Sequence, residues 1–148
     1  MSSDAEVRAG LDPAIRVTAM PADTNAYGDI FGGWLLSMMD SAAGLTAARR
    51  TKGRAVTVAM DSMEFHKPVK VGDEISVYTH IERVGRTSLI ILAEAWSRER
   101  HSEQADKVTH AKFTFVAIDE HGRPRPINVG PINPGPITPD TVQEQSSG

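Results

Sequence analysis

The chain has 148 residues, 40% of them hydrophobic and 24% charged, a composition that supports one soluble globular domain with its own core. It contains no cysteine, which excludes a disulfide framework, a thiolate metal centre and a cysteine nucleophile. Its 16 Lys and Arg against 19 Asp and Glu leave a net charge of -3, which excludes a basic face for nucleic acid and a polybasic membrane anchor, so an anionic ligand must be met by a few placed cations.

Residues 1–6 are acidic and no apolar run follows them, which argues against a secretory signal and for a cytoplasmic protein. The head, residues 1–12, has little to bury and is expected to be flexible. The folded unit is expected over residues 13–120. Ile15-Arg16-Val17-Thr18-Ala19 alternates apolar and polar side chains, the period of a short strand. Residues 21–29 are rich in turn and capping types, and residues 30–50 in Leu, Met and Ala, so a loop leads into one long helix. Four further strands are expected at residues 54–68, 74–84, 87–98 and 107–118, all rich in β-branched and aromatic residues. In the last, Ala111, Phe113, Phe115 and Ala117 share one face while His110, Lys112 and Thr114 take the other, as in an antiparallel sheet covered on one side. Six of the nine prolines lie between Pro124 and Pro139. Residues 121–148 are therefore expected to form an extended or disordered tail.

Between residues 30 and 48 Asp40 is the only charged side chain, and apolar positions run nearly all the way round the helix. Such a helix is expected to be buried on most sides. A membrane span is the competing reading, but Gly32, Gly33, Ser37, Asp40, Ser41, Gly44 and Thr46 make a poor one, and the amphipathic strands need a core. The pattern gives an α+β fold in the order β-α-β-β-β-β, a long central helix wrapped by a curved antiparallel sheet. No stable membrane insertion is expected.

An aspartate in an otherwise uncharged helix is costly to bury unless it is paired or opens onto water. One reading pairs Asp40 at the rim with Arg49 or Arg54; the other makes it a general base or nucleophile in an apolar cleft. Gly32 and Gly33 lower helix propensity where the helix begins, a cost best tolerated where something must approach the backbone. The free amides of that first turn would serve an anion or a developing oxyanion. The plainer reading is that the glycines let the helix sit tightly on the sheet. Asp40 stands eight positions after Gly32, about 12 Å along the axis at a helical rise of about 1.5 Å. If amides and carboxylate act on one small group, two helices must run antiparallel across a two-fold axis, and the protein is at least a dimer.

Met20-Pro21-Ala22-Asp23-Thr24-Asn25-Ala26-Tyr27-Gly28-Asp29-Ile30-Phe31-Gly32-Gly33-Trp34, followed by Met39-Asp40, resembles the N-terminal signature of hot-dog fold acyl-CoA thioesterases of the bacterial YciA-like group. Segments 54–58, 65–73 and 113–119 also sit where that family has similar ones, so the likeness spans about residues 15–126. It implies a hot-dog fold that dimerises across the sheet edge, three dimers forming a hexamer, and hydrolysis of an acyl-CoA to free CoA and a carboxylic acid. The resemblance places the family's functional asparagine on Asn25, its glycine-rich helix start on Gly32 and Gly33, and its catalytic carboxylate on Asp40. Asn25 would hold the attacking water or the thioester carbonyl; its plain alternative is an Asx turn.

For the CoA moiety, the hairpin residues Arg86, Thr87 and Ser88 resemble the place where many hot-dog proteins touch the nucleotide. His66 and Lys67 are candidate cations, Asp61, Ser62 and Met63 would offer strand backbone to the pantetheine amides, and Thr57 would line the channel. His80, His101, His110 and His121 show no metal-ligand spacing with carboxylates, and neither a cofactor nor a metal is indicated. Two other functions stay open: a hot-dog module that binds acyl-CoA without turnover, and a hydroxyacyl-thioester dehydratase. The dehydratase reading expects a histidine ahead of the helix, and the first histidine of this chain is His66.

Overall fold

A computed structural model describes residues 12–127. Its elements are β1 (Ile15–Thr18), a 3₁₀ turn (Pro21–Asp23), α1 (Gly32–Thr51), β2 (Ala55–Phe65), β3 (Glu74–Val84), β4 (Ser88–Arg98) and β5 (Ala105–Ala117). All five strands join one sheet in the order β1-β3-β4-β5-β2, and every neighbouring pair is antiparallel. One helix on one face of a five-stranded antiparallel sheet is the hot-dog arrangement.

The alternation in the sequence decides which face the helix covers. Leu89, Ile91, Ala93 and Ala95 of β4 and Ala111, Phe113, Phe115 and Ala117 of β5 all point into the core, and the residues between them point away. The helix meets them with Leu35, Met39, Ala42, Ala43 and Ala47, spaced about four apart so that they form one stripe. Three alanines in that stripe bring the helix axis close to the sheet. The expectation of a helix buried on most sides is corrected here: within one chain this stripe and the last-turn residues Arg50 and Thr51 are buried, and Leu45 is 57% exposed.

The folded unit also continues past residue 120. Arg125 donates from Nε to the Ile118 carbonyl (2.8 Å) and from Nη1 to the Thr51 carbonyl (3.0 Å), tying the last turn of α1 to the chain that follows β5. Ile127 is buried, and its N–H reaches the Arg86 carbonyl at 2.7 Å. The expected flexible head, except Asp12, and the tail beyond Ile127 lie outside the described residues. Among the described residues no helix is long and apolar enough to cross a membrane.

Strand β2 departs from the rest of the sheet. It lies at the edge, is exposed along nearly its whole length, and slips register against β5 between Thr57 and Ala59 and again between Asp61 and Glu64. Ser62, inside the second bulge, has φ 53, a left-handed conformation rare for a residue with a Cβ. Val56, Val58, Met60 and Phe65 expose large apolar surface here.

Candidate active site

The loop before the helix is folded around Asn25. Its Oδ1 accepts the N–H of Tyr27 (2.8 Å) and of Asp29 (3.1 Å), and its own N–H donates to the Asp29 carbonyl (2.6 Å). Gly28, at φ 83, makes the turn possible. The Asx-turn reading therefore describes the oxygen of Asn25, while its side-chain NH₂ has no hydrogen-bond partner among the described residues. That NH₂ is left as a donor at the loop surface.

The loop delivers the chain to an uncapped helix start. The Phe31 N–H is taken by the Asp23 carbonyl, and no side chain caps the first turn. The amides of Gly32, Gly33 and Trp34 stand in the positions that have no partner inside a helix. The two glycines differ in what surrounds them. A Cβ on Gly32 would lie 3.2 Å from Cζ of Phe65, so the ring at the end of β2 occupies the space a side chain would need. A Cβ on Gly33 would meet nothing within 4 Å. Tight packing thus accounts for Gly32, whereas nothing within this chain crowds Gly33.

Asp40 sits two turns farther along α1, half-buried. The Thr57 hydroxyl donates to its Oδ1 at 2.7 Å, and among the described residues the carboxylate pairs with neither Arg49 nor Arg54. The rim ion pair is therefore absent. Thr57 immediately precedes the first β2 bulge, the kind of irregularity that re-aims a side chain beside a functional group. One carboxylate oxygen is fixed by a neutral donor and the other is left to accept a proton or attack.

The expected CoA contacts divide between opposite ends of the sheet. Arg86, Thr87 and Ser88 lie at the β3–β4 turn, where the Gly85 N–H closes on the Ser88 carbonyl at 2.7 Å. The Arg86 side chain is exposed and has no partner among the described residues. Ser88 pairs with Val116, which pairs with Val56, whereas His66 and Lys67 follow the far end of β2. Phe65, beside His66, pairs with Thr109, and the seven steps of β5 from Val116 to Thr109 at a strand rise of about 3.3 Å put the two groups more than about 20 Å apart, too far for one phosphate. Lys67 is engaged by Asp106 at 2.9 Å, and its hydrogen bond, with a second from Gln104, holds the Asp106 carboxyl below its usual range. Ser62 and Met63 fall in the second bulge, where backbone groups leave the ladder, and Asp61, paired with Lys112, borders it.

Two relationships escaped the linear reading. Phe65 against Gly32 joins the end of β2 to the helix start. Glu64, His66 and His110, without metal-ligand spacing in the sequence, come together through the pairing of β2 with β5.

The chain matches the model of the thioesterase superfamily over residues 27–103. It belongs to that superfamily. An uncharacterized acyl-CoA thioester hydrolase of Zymomonas mobilis is 58% identical over 113 residues, 76% of either chain. The acyl-CoA thioester hydrolase YciA of Escherichia coli is 46% identical over 121 residues, 80% of this chain and 92% of that one. The crystal structure of the hexameric thioesterase y2039 from Yersinia pestis superposes with a TM-score of 0.77 at 45% identity, covering 82% of this chain and 98% of that one. The thioesterase superfamily chain thus keeps an uncapped helix start and a hydroxyl-anchored carboxylate on the same helix.

Proposed function

We propose that the protein is a cytoplasmic acyl-CoA thioester hydrolase whose active site is completed by a second copy of the chain. The carrying observation is the placement of Asp40. It is held by Thr57 with one oxygen free, yet stands about 12 Å along the helix from the open amides of its own chain. Two copies related by a two-fold axis, with their bare β2 edges side by side, bring the Gly32–Gly33 end of one helix to Asp40 of the partner subunit. The apolar surface on β2 and the exposed Leu45 support that association. The likeness to a hexameric thioesterase supports three such dimers.

In this site the thioester carbonyl oxygen accepts from the Gly33 amide, with Gly32 beside it, and the negative charge growing on that oxygen meets a preorganised dipole. Asp40 takes a proton from water as the water oxygen attacks the carbonyl carbon. The tetrahedral intermediate collapses by breaking the C–S bond; the thiolate of CoA takes up a proton, and the acid leaves. Direct attack by Asp40, giving a mixed anhydride that water then opens, uses the same free oxygen. The NH₂ of Asn25 orients the water or the carbonyl. Arg86, Thr87 and Ser88 receive the phosphates, with His66 and Lys67 contributed across the two-fold from the opposite sheet end. Thr57 and the backbone at Asp61, Ser62 and Met63 line the pantetheine path.

The test is thiol release from a panel of acyl-CoAs of different chain length. Wild-type protein is expected to turn over several of them, and Asp40→Ala to lose at least about a hundredfold in kcat, the range for removing a positioned acid–base group, while still binding CoA. Undiminished turnover in Asp40→Ala removes the catalytic assignment. CoA binding without turnover in the wild type makes the chain a binding module.

A further inference from the structure

On the face of the sheet turned away from the helix, Glu64 and His110 are direct cross-strand partners in β2 and β5. His66 follows at the end of β2, its backbone N–H donating to the Val108 carbonyl at 2.7 Å. The Thr109 hydroxyl bonds the Glu64 carbonyl. These backbone anchors hold both ends of the cluster. His66 Nε2 and His110 Nδ1 lie 3.1 Å apart, and Glu64 Oε2 is 3.9 Å from His110 Nε2. One donor atom from each of the three residues lies within 4.8 Å of the others, and no second such group occurs among the described residues.

We propose that Glu64, His66 and His110 form a binding site for a divalent late transition metal such as Zn²⁺. Two nitrogens bound to one ion at about 2.05 Å and separated by 3.1 Å subtend an angle of about 98° at the metal, between the octahedral and tetrahedral values. The imidazoles are therefore already spaced as ligands, and the ion replaces only the single proton they share. Imidazole nitrogens with one carboxylate suit Zn²⁺, Ni²⁺ or Cu²⁺ better than the all-oxygen sites of Mg²⁺ or Ca²⁺. Glu64 Oε2 faces Nε2 of His110, the ring nitrogen turned away from the ion, and its exposed side chain rotates to bring a carboxylate oxygen to the metal. Glu94, the neighbour of His110 on β4, is held by Lys107 at 3.7 Å and stays outside the ligand set. Open positions are left to water.

The site is separate from Asp40: the Phe65 ring turns to the helix, so the flanking Glu64 and His66 turn to the opposite face. It shares His66 with the phosphate contacts proposed above, so the metal is titrated in the absence of CoA, and the outcome then stands apart from the hydrolase reading. The experiment is calorimetric titration of the untagged, full-length oligomer with ZnCl₂ at pH 7.5, repeated at pH 5.5. One Zn²⁺ per chain is expected, weakening at pH 5.5 because protons compete with a metal for its ligand atoms. His66→Ala and His110→Ala should each weaken it at least tenfold, Glu64→Gln less, and His121→Ala not at all. Co²⁺ in place of Zn²⁺ should give a visible d–d band that the two histidine variants lose. Absence of saturable binding below millimolar Zn²⁺, or unchanged binding in the His66→Ala/His110→Ala double variant with its oligomeric state intact, overturns the proposal.

Discussion

Strands β2 and β5 are hydrogen-bonded neighbours, yet they spend their apolar residues in opposite ways. In β5, Phe113, Phe115 and Ala117 are buried to within 2%, and the strand pairs with β4 and β2 while carrying one extra residue of its own, Val108 against β4; the extra residues of both β2–β5 shifts lie in β2. In β2, Val58 and Phe65 are each more than half exposed and the ladder is broken twice within 11 residues. Equal apolarity thus has two meanings. Regular alternation between two partners builds the chain's own core, whereas an apolar edge with bulges prepares a surface for something outside the chain.

The largest break in this comparison is expected from β5. Phe113→Ala removes a ring that is 1% exposed and should cost about 3–5 kcal/mol of stability, as other large-to-small core changes do. Urea unfolding followed by circular dichroism reads it directly. A cost under about 1 kcal/mol would mean that β5 is not the core strand described.

The matching change on β2 should leave the chain folded and end its activity. Val58→Asp places a charge on an exposed strand position, where the isolated chain tolerates it, but across an apolar two-fold contact it meets another copy of itself. Light scattering should show a smaller species, and turnover should fall at least about a hundredfold because the amides and Asp40 no longer meet. A full-sized assembly with normal turnover would contradict the composite site.

How much of this was open to a reader of the sequence follows from the same contrast. The β3 boundaries were legible to the residue, and the alternation of Ala111, Phe113, Phe115 and Ala117 pointed to its buried face because period-two patterning is a local property. Asp40 stood out for a local reason too, as the one charge in an apolar helix. What could not be read depends on residues far apart in the chain. Thr57 meets Asp40 only because β2 crosses the helix, and His66 meets His110 only in the observed β2–β5 register. The helix appeared buried all round because its pattern carries two surfaces at once, the core stripe and the face exposed in a single chain. Pro124 and Pro126 suit a loose tail and an extended strap equally well, and only the buried side chain of Ile127 and its hydrogen bond to Arg86 tell the two apart.

A smaller effect should come from the point where β2 supports the helix. Thr57→Val keeps the shape of the side chain and deletes the hydroxyl that donates to Asp40 at 2.7 Å. Loss of one hydrogen bond to a charged group is worth about 1.5–3 kcal/mol, and the site's access to water replaces part of it, so kcat should fall about tenfold while KM changes little. A matching rise in KM with kcat unchanged would assign Thr57 to substrate binding instead of to positioning the carboxylate.

The smallest effect is expected at the far end of β2, where Lys67 and Asp106 pair in the open. The hydrogen bond from Lys67 lowers the Asp106 carboxyl in the folded protein, so the folded state favours the ionised form. Stability from this source is present above the ordinary carboxylate pKa and is lost as pH falls through the lowered folded value. Asp106→Asn should therefore shift the thermal midpoint slightly at pH 7, less in high salt, and less again as the medium is acidified toward that range. A gap between variant and parent that widened on acidification would have the wrong sign for a depressed carboxylate.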